Sequence, residues 1–276
     1  MGKITKDSLG DRMKTYEAVT RDYLMLGCPK VIRLDMRAGH TFTRDFDIPY
    51  DEVFSQSMIA ATKALCEQVT GVVMGYTQSD EISLVINDVT ERGEVSCFFE
   101  GNISKITSIS ASICTLAFNK KYAELVAELP EDKAEKYKKN VWTAQFDSRT
   151  YCLPNVMEVH NYILWRQQDA TRNSIQMAGH ANFSQSELDK KNVNEIQDML
   201  MLQKGINWNN YPVKFKRGCV VLKEQYEKDV EVPNRGLITG VKRKRWVEAE
   251  IPILTQDLEF IPKIFARKLL INGKLE

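Results

Sequence analysis

The chain lacks several features that would place it quickly. Its six cysteines (Cys28, Cys66, Cys97, Cys114, Cys152, Cys219) form no CxxC pair, and its three histidines (His40, His160, His180) show no HxxxH or HExxH spacing. That argues against structural zinc and zinc-protease chemistry, and the scattered thiols, four of them inside apolar runs, point to a reducing, intracellular setting. No GxxxxGK(S/T) loop and no GxGxxG occurs, which removes P-loop and dinucleotide-binding chemistry. No apolar stretch is long enough to cross a bilayer, and Met1 to Arg21 is charged throughout, unlike a signal peptide. The expected location is cytoplasmic, with no membrane partner. Excess charge is missing as well: 38 Lys+Arg against 37 Asp+Glu leave a net +1, so any grip on nucleic acid must come from local patches. No internal repeat or low-complexity tract is evident.

What is present fits an ordinary globular protein, with 43% hydrophobic and 27% charged residues over 276 positions, enough for one large domain or two smaller ones. Two segments stand out, Val31–Arg37 and Gly75–Val85. Each sets a carboxylate at the edge of a short apolar, β-branched run that reads as a buried strand. The second reads as two strands joined at Gln78-Ser79-Asp80, so Asp35 and Asp80 are expected to meet across neighbouring strands. Two such half-buried carboxylates repel. A divalent cation removes that cost, and Mg²⁺ is commonly held by one or two carboxylates plus substrate phosphates.

Gly27 and Pro29 end a polar helix that starts near Lys6. The spacing then predicts a strand at Lys30–Met36, a polar turn at Ala38–Thr43 and a helix over Asp51–Val69. Strands at Val72–Tyr76 and Ile82–Ile86 follow, then a helix over Ile103–Ala127. This is most of a ferredoxin-like βαββαβ layer, so the expected class is α+β. The charged run Leu129–Lys139 is the best boundary. It divides the chain into residues 1–138, a C-terminal unit at 139–225 and an extension at 226–276 of unknown role. In the second unit Ala144–Leu153 reads as a strand, Asn155–Gly179 as an amphipathic helix, Ser186–Gln203 as a polar helix and Phe215–Leu222 as a strand.

For Asp35 or Asp80 alone, a strand-end residue accepting backbone hydrogen bonds is as good a reading as a metal ligand. The pair favours metal. Glu81 follows Asp80 directly and points to the other face of a regular strand, which makes it secondary. Arg33, Arg37 and Lys105 near such a cluster make sense if a triphosphate lies between them. The polar run Trp165–Ser174 is, taken alone, more often a solvated or oligomer face. The basic run Lys242–Arg245 beside Trp246 suits a phosphate backbone, although such clusters are usually solvated edges.

Arg33-Leu34-Asp35-Met36-Arg37 with His40-Thr41-Phe42-Thr43 resembles the R-(I/L)-D-G-R-x-F-H-x-F segment of the tRNA-histidine guanylyltransferase superfamily, the 3′-to-5′ nucleotide polymerases. Tyr76–Ser83 resembles its Y-G-Q-S-D-E-x-S segment. Ser104-Lys105, Phe146–Arg149, Trp165–Asp169 and Lys216–Gly218 match in order, so the likeness runs from about Lys6 to about Leu222.

The resemblance implies a polymerase-palm-like catalytic domain with a fingers-like C-terminal domain. It implies two Mg²⁺ ions on Asp35, Asp80 and the backbone carbonyl of Met36, with Glu81 supporting the catalytic pair. Arg33, Arg37, Ser79 and Lys105 would contact nucleotide or triphosphate, and His40 would lie beside the activating nucleotide. Arg166, Asp169, Arg172, Asn173, Lys216 and Arg217 would serve the substrate RNA. ATP, GTP or other NTPs and tRNA are the implied substrates, and the family is commonly tetrameric. Met36 replaces the family's glycine, and Thr171–Ser174 replaces the eukaryotic H-I-N-N segment, which favours the guanylyltransferase-like branch and templated extension of 5′-truncated tRNA over addition of one guanosine to tRNA-His. A nucleotidyl cyclase on the same palm, or a non-catalytic tRNA-binding protein, are the alternatives.

Overall fold

In the computed structural model of the chain, residues 8–90, 92–232, 236–267, 269–271 and 273–275 are described. Helix α1 (Leu9–Ala18) is capped by the Ser8 side chain and buries no residue. It stops well short of Gly27. Strand β1 (Lys30–Met36) leads into a single turn, α2 (Gly39–Phe42), and then α3 (Glu52–Gln68), whose first turn is fixed by the Asp51 carboxylate accepting from the Phe54 N–H at 2.9 Å. Strands β2 (Val72–Gln78) and β3 (Glu81–Ile86) form a hairpin with Ser79-Asp80 at its tip. Helix α4 (Ile103–Glu128) buries Ile106, Ser110, Cys114, Phe118 and Tyr122, a stripe at four-residue spacing.

The charged segment expected as a boundary folds as α5 (Glu131–Lys138), and its Ala134 and Tyr137 enter the same core as Phe42, Phe46 and Tyr122. Tyr137 donates its hydroxyl to the buried Asp51 carboxylate at 2.6 Å, tying α5 to the start of α3. Strand β4 (Phe146–Cys152), beyond residue 138, pairs antiparallel with β1. The first four strands therefore stand in the order β4-β1-β3-β2, all antiparallel, with α3, α4 and α5 on one face. Strand order βαββαβ was legible; its fourth strand lies past the compositional break.

Helix α6 (Val156–His180) covers the other face, packing Val159, Tyr162 and Ile163 onto Val31, Val73 and Val85. The polar helix expected over 186–203 is two pieces, α7 (Gln185–Leu188) and α8 (Val193–Lys204), which with the end of α6 close a third small core around Trp208. A short α9 (Val213–Arg217) occupies the start of the expected Phe215–Leu222 strand. The strand proper, β5 (Cys219–Val232), joins β2 and continues far beyond Leu222 in a long hairpin with β6 (Gly236–Glu250). Helix α10 (Phe260–Phe265) packs under α6, and two short strands, β7 (Leu270–Ile271) and β8 (Lys274–Leu275), extend the sheet beyond β5. Residues past 225 are thus built into the same sheet. Among the described residues no helix is long and apolar enough to cross a membrane.

Candidate active site

Strand alternation sorts the β1 side chains. Ile32, Leu34 and Met36 enter the α3–α4 core, so Val31, Arg33 and Asp35 face α6. Asp35 sits directly opposite Glu81 on β3 and opposite Asp147 on β4. Directly opposed residues share a face, so three carboxylates line up across three strands. Asp80 joins them from the hairpin tip, where Ser79 takes a left-handed conformation (φ 48°) and the Asp80 carbonyl accepts from the Met36 N–H at 3.1 Å. The Asp80 side chain packs over Gly39. A Cβ at that position would collide with the carboxylate, so the α2 turn needs glycine here.

These acids are neutralised very unequally. Glu81 is gripped by Arg33, by Arg166 Nη1 at 2.9 Å and by Gln78 Nε2 at 2.9 Å. Arg166 is only 5% exposed and lies 3.6 Å over the Trp165 ring, so the clamp is rigid and ties α6 to the hairpin. Asp169 is shared between Arg166 and Arg172. Asp147 pairs with Arg149 at 3.1 Å. Among the described residues Asp35 and Asp80 alone in this group have no ion pair or side-chain hydrogen bond. Burial first, and the Asp80 charge second, hold the Asp35 carboxyl above its ordinary range. No three His, Cys, Asp or Glu side chains among the described residues converge as a closed metal cage. Two carboxylates without ion pairs could hold a hard cation such as Mg²⁺, which usually takes most of its oxygens from water and substrate phosphates.

Beside Asp80 opens a cavity of about 360 Å³. Gly39, His40, Gln78, Ser79 and Asp80 line one side, the 46–51 segment and the start of α3 a second, and Ala170, Asn173 and Met177 of α6 a third. Tyr50 and Phe215, stacked with centroids 3.9 Å apart and planes 9° from parallel, also line it, as does Lys214, which pairs with Glu52. Gly218 (φ 78°) lets the chain after α9 pass against the Thr77 carbonyl, where a Cβ would be 2.6 Å away.

Of the residues singled out by sequence, Arg33, Asp35, Glu81, Arg166 and Asp169 meet in one charged cluster, and His40, Ser79, Asp80 and Asn173 line the adjoining cavity. Met36 is buried with its side chain in the α3–α4 core, so the substitution of glycine leaves the site's open face clear. Arg37 is exposed and bonds Gln145 at 2.8 Å. Lys105 is exposed on the first turn of α4, against Phe99. Arg172 is an exposed partner of Asp169. Lys216 is not presented to solvent: it is buried, donates its ammonium to the Asn209 carbonyl, lies over Trp208, and burial pushes its pKa down. The Arg217 carbonyl takes the Tyr76 hydroxyl at 2.6 Å. Sequence reasoning gave no role to Asp147 and Arg149, whose place opposite Asp35 and Arg33 depends on strand register, nor to Tyr50 and Phe215.

The profile of the tRNAHis guanylyltransferase (Thg1) family matches residues 10–154. An uncharacterised protein of Acanthamoeba polyphaga mimivirus is 30% identical over 252 residues, covering 88% of this chain and 86% of that protein. A probable tRNA(His) guanylyltransferase of Dictyostelium discoideum is 28% identical, covering 90% and 94%. A bacterial tRNA(His) guanylyltransferase (Thg1)-like protein solved in complex with ATP superposes with a TM-score of 0.77 at 35% identity, covering 94% of this chain and 99% of that one. The mixed α+β fold is therefore that of solved members. The chain belongs to the tRNAHis guanylyltransferase family, whose members are nucleotidyltransferases. The likeness to the bacterial Thg1-like protein supports the guanylyltransferase-like branch.

Proposed function

We propose that the chain extends the 5′ end of tRNA in the 3′-to-5′ direction, choosing each nucleotide by pairing with the opposite RNA strand. The observation that carries this reading is the bare pair Asp35 and Asp80 beside a cavity, next to acids that are all otherwise neutralised. On it, the β4-β1-β3-β2 sheet serves as a polymerase-like palm and α6 to α9 as the fingers-like unit behind the cavity.

Asp35, Asp80 and the Met36 carbonyl would hold two Mg²⁺ ions, because hard oxygen donors with no competing cation fit that metal. When bound, they would supply Lewis acidity to the attacking hydroxyl and to the departing phosphate. The protein's own part is positioning. The Glu81 clamp fixes Arg33 and Arg166 beside the carboxylates, and His40, Ser79 and Asn173 line the space for a nucleotide. A 5′-monophosphate is a poor electrophile, so ATP would first adenylylate it with release of pyrophosphate. The 3′-hydroxyl of the incoming NTP then attacks the activated 5′-phosphate and AMP leaves; a 5′-triphosphate end skips the first step and loses pyrophosphate instead.

RNA would be gripped by shape and phosphate. Exposed Lys242 and Lys244 on one face of β6 offer one basic stripe, with Arg243 on the other face, and assembly as a homotetramer would bring several together. The test is incorporation of labelled NTPs into 5′-truncated tRNAs bearing one or three phosphates. The expected product carries the NTP complementary to the template base, with ATP needed only for the monophosphate. Equal incorporation of GTP opposite every base would refute templating, and cyclic nucleotide from NTP alone would favour a cyclase.

A further inference from the structure

At the end of β1 far from the carboxylates stands a second group of reactive side chains that nucleotide addition does not use. Lys30 and Asp88, each 1% exposed, form an ion pair of 2.6 Å, and the Lys30 ammonium also donates to the Cys28 carbonyl at 3.0 Å. Around it are three free, half-buried thiols, Cys28, Cys97 and Cys152. Strand register explains why two of them meet. Lys30 lies opposite Cys152, and the Leu153 N–H donates to the Pro29 carbonyl at 2.8 Å, so the β1–β4 ladder runs on past Lys30 and sets Cys28 diagonally across from Cys152. Both thiols donate to one acceptor, the Met25 carbonyl, Cys28 at 3.2 Å and Cys152 at 3.6 Å. Cys97 lies beside the Lys30–Asp88 pair instead, and burial first, with the Asp88 charge adding to it, holds its thiol above the ordinary range.

We propose that Cys28 and Cys152 are a reversible disulfide pair, a redox modification site that staples the turn entering β1 to the end of β4. Two thiols on one face of a strand pair, sharing a carbonyl acceptor, are neighbours, and a shift of the turn that carries Cys28 toward β4 brings them into disulfide geometry. The oxidant is a low-molecular-weight disulfide such as glutathione disulfide. Cys28 loses its proton to solvent, and its thiolate attacks one sulfur of the small disulfide, whose S–S bond breaks to release one small thiolate that takes up a proton. Cys152, deprotonated in turn, attacks the Cys28 sulfur of the mixed disulfide, and the second small thiol leaves. Two protein thiols are oxidised by two electrons and the small disulfide is reduced to two thiols. Burial and the adjacent Cys28 thiol hold the Cys152 thiol above its ordinary range, which keeps its thiolate scarce and makes its attack the slow step. The cross-link closes a loop that contains β1 to β3, α3 and α4, and so restricts the unfolded chain. Asp35 lies roughly 17 Å further along the strand, at about 3.3 Å per residue, so the chemistry there is untouched.

The experiment equilibrates the wild-type chain against glutathione buffers of increasing oxidation, alkylates remaining thiols and maps peptides by mass spectrometry. The expected result is a loss of about 2 Da, two hydrogens, with one peptide joining Cys28 to Cys152. The thermal midpoint rises in the oxidised form, dithiothreitol reverses both changes, and the nucleotide addition rate stays the same. Cys97→Ser keeps the cross-link and Cys152→Ser loses it. Six alkylatable thiols at every buffer ratio, or a cross-link through Cys97, would overturn the proposal, and both readouts come from the unmutated protein.

Discussion

At one end of β1 a carboxylate is buried against a lysine, and at the other two carboxylates lie side by side with no cation between them. Asp88 accepts from Lys30 and from the Gly27 N–H, and the Lys30 and Asp88 side chains are both sealed from solvent. Asp35 and Asp80 are less buried, and among the described residues neither has an ion pair or a side-chain hydrogen bond, the Arg33 and Arg149 charges acting on Asp35 only at a distance, while Glu81, Asp147 and Asp169 around them are all ion-paired. The same chemistry is thus ion-paired inside the fold at one end and without an ion pair at the other. An isolated buried charge costs several kcal/mol, so the acid sealed inside the fold is held against a lysine, whereas the two acids without an ion pair are only partly buried and stay open to a bound cation.

Removing acids at the two ends should have opposite effects. Asp35→Asn or Asp80→Asn is expected to lower labelled-NTP incorporation by about 10³-fold or more, in line with loss of preorganised charge stabilisation, while tRNA binding persists. Asp88→Ala leaves Lys30 buried and unpaired. Urea unfolding is expected to show a loss of about 3–5 kcal/mol, with an unchanged rate per folded molecule. If Asp88→Ala instead lowered the rate without destabilising the chain, the contrast would fail. Arg166→Met opens the Glu81 clamp and is expected to cost about 1.5–3 kcal/mol of stability, the range for hydrogen bonds to charged groups, together with a fall in incorporation rate.

The pH dependence sharpens the comparison further. Because burial and Asp80 raise the Asp35 carboxyl's pKa, the folded chain keeps a proton over a window in which the unfolded chain has released it. Stability of the metal-free protein therefore falls as pH rises through that window, and Asp35→Asn abolishes this slope in thermal melts. Mg²⁺ affinity is expected to run the other way, rising with pH as the Asp35 carboxyl ionises. The smallest effect belongs to the β6 stripe: Lys242→Ala and Lys244→Ala should each reduce the salt slope of tRNA binding by about 1 and leave incorporation at saturating tRNA unchanged.

Much of the βαββαβ layer was legible because Ile32, Leu34 and Ile82 to Ile86 advertise buried strands and α3 and α4 carry long helical periodicity. The Asp35 and Asp80 neighbourhood followed from the hairpin turn at Ser79. Other features depend on partners that sequence does not name. Helix α5 exposes so many charges that its two core-facing residues, Ala134 and Tyr137, were hidden in the composition. Asp147 gains meaning only through its register with Asp35, and the long β5–β6 hairpin, exposed along most of β6, lacks the apolar alternation of a buried strand. Lys216, which reads as a basic RNA contact, is turned inward by Trp208 and the Asn209 carbonyl. The Lys30–Asp88 pair joins residues far apart in the chain and carries no local motif.

The most direct measurement is a Mg²⁺ titration of the thermal midpoint, run in parallel on the wild type and on Asp80→Asn. A midpoint that climbs with Mg²⁺ in the wild type and stays flat in the variant is the expected result, since a ligand stabilises only the fold that binds it. Equal responses in the two proteins would mean that Asp35 and Asp80 hold no cation.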